Sequence, residues 1–285
     1  IGRKYDGLNS NYSEYIQKAF SSFNELSVSK VVILPLFLSK YNHILQEVKK
    51  HTPAYNFKGQ IHWAETMSKS YLTAQILFDR VKKISSNPSQ EKLVILGRGA
   101  LDENSEQLMK KELEELSVYI KQRKIFKSIQ VGIYYSYNAK DKLRALKDSK
   151  VDDMVIHTAA KKGNTLVIPF FIGPKYSNMM SLTHFFDRRF QDIDIIHNPE
   201  EILLHPNILL WMKKTANKYI PLYSHEPIGV VIMPHGATQP YNDAIEKTIE
   251  PLKSNYKIEM AYGMGDALTI QNAVSKLENQ GIKKI

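Results

Sequence analysis

Leu93-Val94-Ile95-Leu96-Gly97-Arg98-Gly99-Ala100 is an unbroken apolar run that ends among glycines. A run without in/out alternation suits a strand covered on both faces of a parallel sheet. Seven further short runs have the same character: Lys30–Phe37, Gly59–Ala64, Ser128–Tyr134, Thr165–Phe171, Asp192–Ile196, Gly229–Met233 and Lys257–Tyr262. Amphipathic stretches lie between them. Glu103–Lys121 sets Leu108, Leu113, Leu116 and Ile120 at helical spacing, and Ile245–Leu252 and Leu268–Gln280 behave likewise. This alternation predicts a doubly wound α/β fold.

The opening run has a counterpart in Val230-Val231-Ile232-Met233-Pro234-His235-Gly236-Ala237, again a strand running into a Gly-Ala turn. Val31-Val32-Ile33-Leu34-Pro35-Leu36-Phe37-Leu38 pairs with Leu166-Val167-Ile168-Pro169-Phe170-Phe171-Ile172, an apolar strand followed by proline and aromatics. Tyr15–Phe20 pairs in the same way with Thr269–Val274. Such self-similarity signals a repeated unit. Three copies of a four-strand unit are expected. Residues 1–88 form the first, without its opening strand and helix; 89–222 form a complete second; 223–285 form the N-terminal half of a third. Ser85–Ser89, with Pro88, and Ser224–Pro227 mark the boundaries. The expected architecture is repeated doubly wound, flavodoxin-like lobes, each a four-stranded parallel sheet flanked by helices.

Composition narrows the function. The 285 residues are enough for two domains or three small ones. With 39 Lys+Arg against 29 Asp+Glu, the net charge of +10 fits an anionic partner or a solubilising surface. The basic residues are scattered in doublets such as Lys49-Lys50, Lys161-Lys162 and Lys213-Lys214, so no nucleic-acid partner is expected. There is no cysteine, which excludes disulfides, zinc fingers, iron–sulfur clusters and cysteine nucleophiles. No apolar run nears the roughly 18 residues of a membrane span, so no membrane partner is expected. The chain starts at Ile1 with no signal-peptide pattern and reads as cut at both ends. A cytoplasmic location is expected, with the periplasm left open. Neither a P-loop nor a GxGxxG motif occurs, and Gly97-Arg98-Gly99 lacks the third glycine, so no nucleotide cofactor is expected.

In an open parallel sheet, ligands bind beyond the carboxyl ends of the strands. Two histidines stand on such turns: His235 in Pro234-His235-Gly236-Ala237, and His43 at the end of Pro35-Leu36-Phe37-Leu38-Ser39-Lys40-Tyr41-Asn42-His43. Imidazole serves as a base near neutral pH and as a ligand for divalent iron, cobalt, nickel or zinc. The strand–His–Gly turn, the Pro35–His43 run and the repeated unit resemble the class II tetrapyrrole chelatases, the CbiX-like sirohydrochlorin chelatases. Glu259-Met260-Ala261-Tyr262-Gly263-Met264-Gly265-Asp266 is similar to a segment of their longer members.

The resemblance implies chelatase-like lobes and an ATP-independent lyase that inserts cobalt, nickel or iron into an acidic tetrapyrrole. It implies His43 and His235 as the catalytic residues and as the metal-holding pair. In the middle unit Arg98 and Ser177 occupy the two histidine positions, so no metal is expected there. Asp6 and Asp266 are the nearest candidates for the family's acidic group. Lys40, Arg98 and Lys175 lie on strand-end loops where they could meet substrate carboxylates. A non-catalytic protein that holds a metal or a tetrapyrrole is the alternative. Whether the two histidines share a site stays open, and a homo-oligomer is compatible with either reading. The remaining candidates read as structural. His197 and His205 flank prolines in a connection, and His157 packs along a helix. His62-Trp63 sits in a core strand, the Tyr134–Tyr137 cluster fills a strand end, and Phe185, Phe186 and Trp211 belong to the core.

Overall fold

The computed structural model describes residues 20–21, 23–25, 30–136, 138–170, 182–198, 200, 202, 205–219, 229–232, 239–253, 257–260 and 270–282. The chain divides into two compact units. One comprises Ile1–Pro35, Glu47–Glu65 and Leu209–Ile285, and the other Leu36–Gln46 and Thr66–Ile208. Among the described residues, no helix is long and apolar enough to cross a membrane.

The second unit is built on strands β3 (Lys92–Ala100), β4 (Ser128–Tyr135), β5 (Thr165–Pro169) and β6 (Ile196–His197). They form one parallel sheet in the order β4-β3-β5-β6. The expected continuous burial is observed: β3 is covered along its whole length apart from the half-buried Arg98, and all of β5 is buried. Val94, Leu96, Tyr134 and Val167 point to one face. There they meet Val151 and Val155 of the helix Asp141–Ala159, and Phe186 and Phe190 of the helix Leu182–Phe190. Each such side chain, fully buried, contributes roughly 1.5–3 kcal/mol. The helices Tyr71–Ile84 and Glu103–Lys121 pack against each other, the first also on β5 and the second on β3 and β4.

Local signals fix the ends of these helices. Asp102 and Ser105 make a reciprocal capping box at the start of Glu103–Lys121, and Ser70 accepts from the Leu72 amide at the start of Tyr71–Ile84. The Lys92 ammonium is buried at the foot of β3. It donates to the Thr158 carbonyl at 2.7 Å and to that of Lys161, which places a cation at the end of the helix Asp141–Ala159. Glu200 accepts from Lys83 at 2.7 Å and pairs with the buried Arg80, while His205 faces Asp79 at 3.3 Å. These pairs tie the helix Tyr71–Ile84 to the chain that follows β6.

The first unit holds two strand pairs. β1 (Lys30–Ile33) and β2 (Gln60–Trp63) run parallel, with Val32 opposite His62. β7 (Gly229–Ile232) and β8 (Lys257–Met260) also run parallel, joined through the helix Gln239–Ile249 and the short turn Glu250–Leu252. The helix Ile270–Asn279 packs on both. Among the described residues, then, one sheet has four strands and the other two have only two. β1 is shorter than the predicted run because Pro35, two residues beyond Ile33, has no N–H to give to a ladder.

Several single-residue expectations shift. His62, read as core, is exposed because β2 alternates and its Ile61 and Trp63 face inward. Tyr134 and Tyr135 are buried as read, but through polar partners. Their hydroxyls donate to Asp152 at 2.6 Å and to Glu106 at 2.7 Å. Burial, with those carboxylates alongside, raises both phenols well above the ordinary range. His197 stacks on Phe186 at 4.7 Å between centroids, and burial lowers its pKa. His157 lies on the exposed side of its helix and bonds the Asp153 carbonyl at 2.6 Å. Phe186 and Trp211 are buried as expected.

Candidate functional site

The sheet reverses its winding at β3. The chain passes from β3 to β4 on one side, and β5 lies on the other. Beyond the carboxyl ends of these strands a parallel sheet leaves a crevice. Here that crevice is a cavity of about 320 Å³, lined by Gly97, Arg98 and Gly99 of β3, Ile133 and Ser136 at the end of β4, and Phe170 after β5. The helix Glu103–Lys121 supplies Met109, Glu112, Leu113 and Leu116, and the segment Leu36–Gln46 supplies a further wall that includes His43.

His43 is the first residue of the helix His43–His51 and is 8% exposed. Its Nδ1 lies 3.4 Å from the Gly99 carbonyl, and its Nε2 lies 3.0 Å from Asn138 Nδ2 and 3.3 Å from Ser136 Oγ. A carbonyl only accepts and an amide nitrogen only donates. The arrangement that satisfies both is a neutral ring with the proton on Nδ1 and the lone pair on Nε2. A backbone carbonyl on one nitrogen is also how metal-ligating histidines are oriented, leaving the other nitrogen to bind.

The carbonyl is aimed by a bulge in β3. Arg98 pairs with Tyr134 and Ala100 with Tyr135, so Gly99 is the extra residue. Its φ is +122°, which calls for glycine, and an added Cβ would stand 2.4 Å from Asn42 Nδ2, a side-chain end that would have to move. Asn42 in turn accepts from the Ile44 amide through Oδ1 at 3.0 Å and fixes the first turn of the histidine's helix.

Arg98 and His43 line the same cavity. Alternation along β3 sends Val94 and Leu96 to the opposite face from Gly97, whose neighbours are Ile133 and Leu113. By the same alternation Arg98 leaves the strand with the first set, and its charge acts on Asp148 of the helix Asp141–Ala159. Asp148 accepts from the Tyr135 amide at 2.9 Å, and burial still holds its carboxyl above the usual range. Lys40 is exposed on the segment before His43, with its ammonium 4.9 Å from the Tyr41 ring. His235, Ser177, Lys175, Asp6 and Asp266 lie outside the described residues.

Glu112 was missed in the sequence. It is 7% exposed and lines the cavity, with Oε2 accepting from Ser39 Oγ at 2.5 Å. Burial raises its pKa. The hydroxyls of Ser39 and Ser68 and the charge of Lys40 oppose that rise without cancelling it. Ser68 favours the charge without closing a hydrogen bond to Oε1, which accepts none. The signal was present: Glu112 stands one turn before Leu116 and beside Leu113, on the stripe that should be apolar. The folded state therefore binds this proton more tightly than the unfolded chain. That contribution favours folding at acid pH and fades as pH rises through the raised pKa. Glu112→Gln is expected to gain thermal stability over wild type as pH rises from about 4.5, the ordinary carboxyl value, to neutrality. A difference that does not change with pH contradicts this.

Among the described residues no cluster of three His, Asp or Glu side chains could hold a metal ion. His43 is thus the one sequence-predicted ligand placed at the crevice among the described residues.

No protein-family model matches this sequence, and no curated protein matches it. Solved structures do. SirB from Bacillus subtilis with Fe3+, a class II chelatase, superposes with a TM-score of 0.51 at 13% identity, over 71% of this chain and 76% of its own. The fold is chelatase-like. A multi-domain protein of Deinococcus radiodurans, described as structurally similar to chelatases with two additional domains, also matches. Its TM-score is 0.40 at 13% identity, over 75% of this chain and 52% of its own.

Proposed function

We propose that this chain is a metal chelatase that inserts a divalent metal into sirohydrochlorin or a related acidic tetrapyrrole without a nucleotide. His43 and His235 act as metal ligand and base. The observation that carries the reading is the His43 ring: buried at the carboxyl ends of the strands, with Nδ1 beside the Gly99 carbonyl and Nε2 beside Asn138. The chelatase-like fold supports it. Insertion exchanges two pyrrole N–H protons for one M2+, so the site must hold a cation and take up protons. The Nε2 lone pair of His43 can hold the ion before transfer and accept one of the two protons after it, while the other goes to His235 or to solvent water. Asn138 and Ser136, which occupy that lone pair here, give way to the ion. The exposed Lys40 and the net positive charge favour a substrate rich in carboxylates. The three lobes 1–88, 89–222 and 223–285 belong to the same proposal.

A second reading keeps the binding and drops the turnover. It is favoured by Arg98, which stands where the repeat would place a histidine and whose charge acts on Asp148. The two readings separate on one assay. Sirohydrochlorin absorbance is followed with iron, cobalt and nickel in turn, iron first because SirB was solved with it. Insertion faster than the protein-free rate, with at least one metal, is expected. Tight binding of the macrocycle with no acceleration by any metal would select the non-catalytic reading.

A further inference from the structure

Parallel strands all enter a sheet from the same end, so the segments that lead into them gather opposite the crevice. Residues 85–91 lead into β3, 121–127 into β4 and 160–164 into β5. The Lys127 amide donates to the Glu91 carbonyl at 2.9 Å, and the Lys127 ammonium donates to the Lys162 carbonyl at 2.9 Å. The run Lys121-Gln122-Arg123-Lys124-Ile125-Phe126-Lys127 and the doublet Lys161-Lys162, far apart in sequence, thus share one face. The three segments hold six cations, with Glu91 as their one acid. Its carboxylate is 1% exposed and is engaged by the Ser85 hydroxyl and the Ser86 and Asn87 amides. Asp192 and Asp194 precede β6, at the far edge of the sheet. Arg123 lies over the Tyr119 ring at 3.3 Å. Among the described residues Lys121, Lys124, Lys161 and Lys162 pair with no carboxylate. Amid these cations Ile125 projects, 81% exposed, the most exposed large apolar side chain among the described residues. Its neighbour Phe126 is buried and anchors the turn.

We infer that this end of the sheet docks on an anionic lipid surface, with Ile125 entering the boundary between headgroups and acyl chains and the four lysines meeting the headgroup anions. An apolar tip set among cations suits that interface. There each Lys or Arg near the surface strengthens binding about fivefold, and an apolar side chain leaves water as well. A nucleic acid would use the charges but gives an isoleucine no base to stack on. The contact is peripheral and needs no spanning helix. The crevice with His43 opens at the opposite ends of the strands, about 26 Å away along the nine residues of β3, so docking does not cover it.

The test is flotation of the full chain with phosphatidylcholine vesicles, with and without phosphatidylserine. Binding to the acidic vesicles is expected to be at least about tenfold tighter than to the neutral ones, and to be lost at about 1 M salt, where the Debye length falls to about 3 Å. Changing Lys121, Lys124, Lys161 and Lys162 together to glutamine should weaken it at least about 100-fold. The charge-matched change of Lys110, Lys111, Lys140 and Lys142, exposed elsewhere on the same unit, should weaken it less than about tenfold. The chain has no cysteine, so Ile125→Cys carries a single thiol for a polarity-sensitive fluorophore. Its emission should shift to the blue on acidic vesicles. That readout stands even if the multiple variants fold poorly. No binding, equal binding to neutral and acidic vesicles, equal losses in the two lysine sets, an unshifted fluorophore, or duplex DNA bound more tightly than acidic vesicles overturns the assignment. None of these results bears on metal insertion, so the chelatase reading stands or falls separately.

Discussion

His43→Ala is expected to lower the rate of metal insertion at least about 100-fold, within the 10²–10⁴ range of a positioned acid–base group. The loss is large because one ring carries two duties, and alanine supplies neither a ligand nor an acceptor. Folding should survive. Three of the ring's contacts are to neutral groups, the Gly99 carbonyl at 3.4 Å, Ser136 at 3.3 Å and Asn138 at 3.0 Å. His43→Gln adds a control, since its amide can replace the bond to Asn138 but cannot take a proton near neutral pH. Both variants should unfold cooperatively near the wild-type temperature. Insertion within twofold of wild type in His43→Ala would remove the residue from the mechanism.

Gly163→Ala is expected to destabilise the protein by about 2–4 kcal/mol, the largest stability effect foreseen here for a single methyl group. Gly163 lies in the turn before β5 with φ +101°, a region L residues rarely enter. An added Cβ would stand 2.3 Å from the Gln90 carbonyl oxygen, which is backbone and cannot rotate aside. Moving it would disturb the neighbouring Lys92, where the Asn164 carbonyl accepts from the Lys92 amide at 2.9 Å. Gly99 has an equally unusual φ, but its close neighbour is the Asn42 side chain, which can swing away. Thermal unfolding should therefore rank Gly163→Ala below Gly99→Ala, and both below wild type. The reverse order would show that the turn yields more readily than the bulge.

The parallel sheet could be read from sequence because strands buried on both faces need continuous apolar runs, and β3 and β5 have them. The Gly99 bulge was half visible. Two glycines around Arg98 announced an irregular strand end, but not that the irregularity would turn a carbonyl toward His43. The histidine itself was found through its place after Pro35, a local pattern. Its partners were not, because Ser136 and Asn138 lie more than 90 residues away, and no local spacing encodes a contact of that range. Arg98 stands on a strand end, as its sequence position implies, and lines the cavity; its pull on Asp148, on a later helix, has no local signal. Glu112 is hidden in the sequence by the helical period of the leucines around it.

The central claim is that His43 holds the metal through Nε2. Cobalt(II) tests it directly, because the ion absorbs visibly and its bands report its ligands. Added to the full chain without tetrapyrrole, cobalt(II) should give wild-type protein a band shifted from that of the aqueous ion. The same titration of folded His43→Ala should give the spectrum of the aqueous ion alone. Identical spectra from the two proteins would contradict the account.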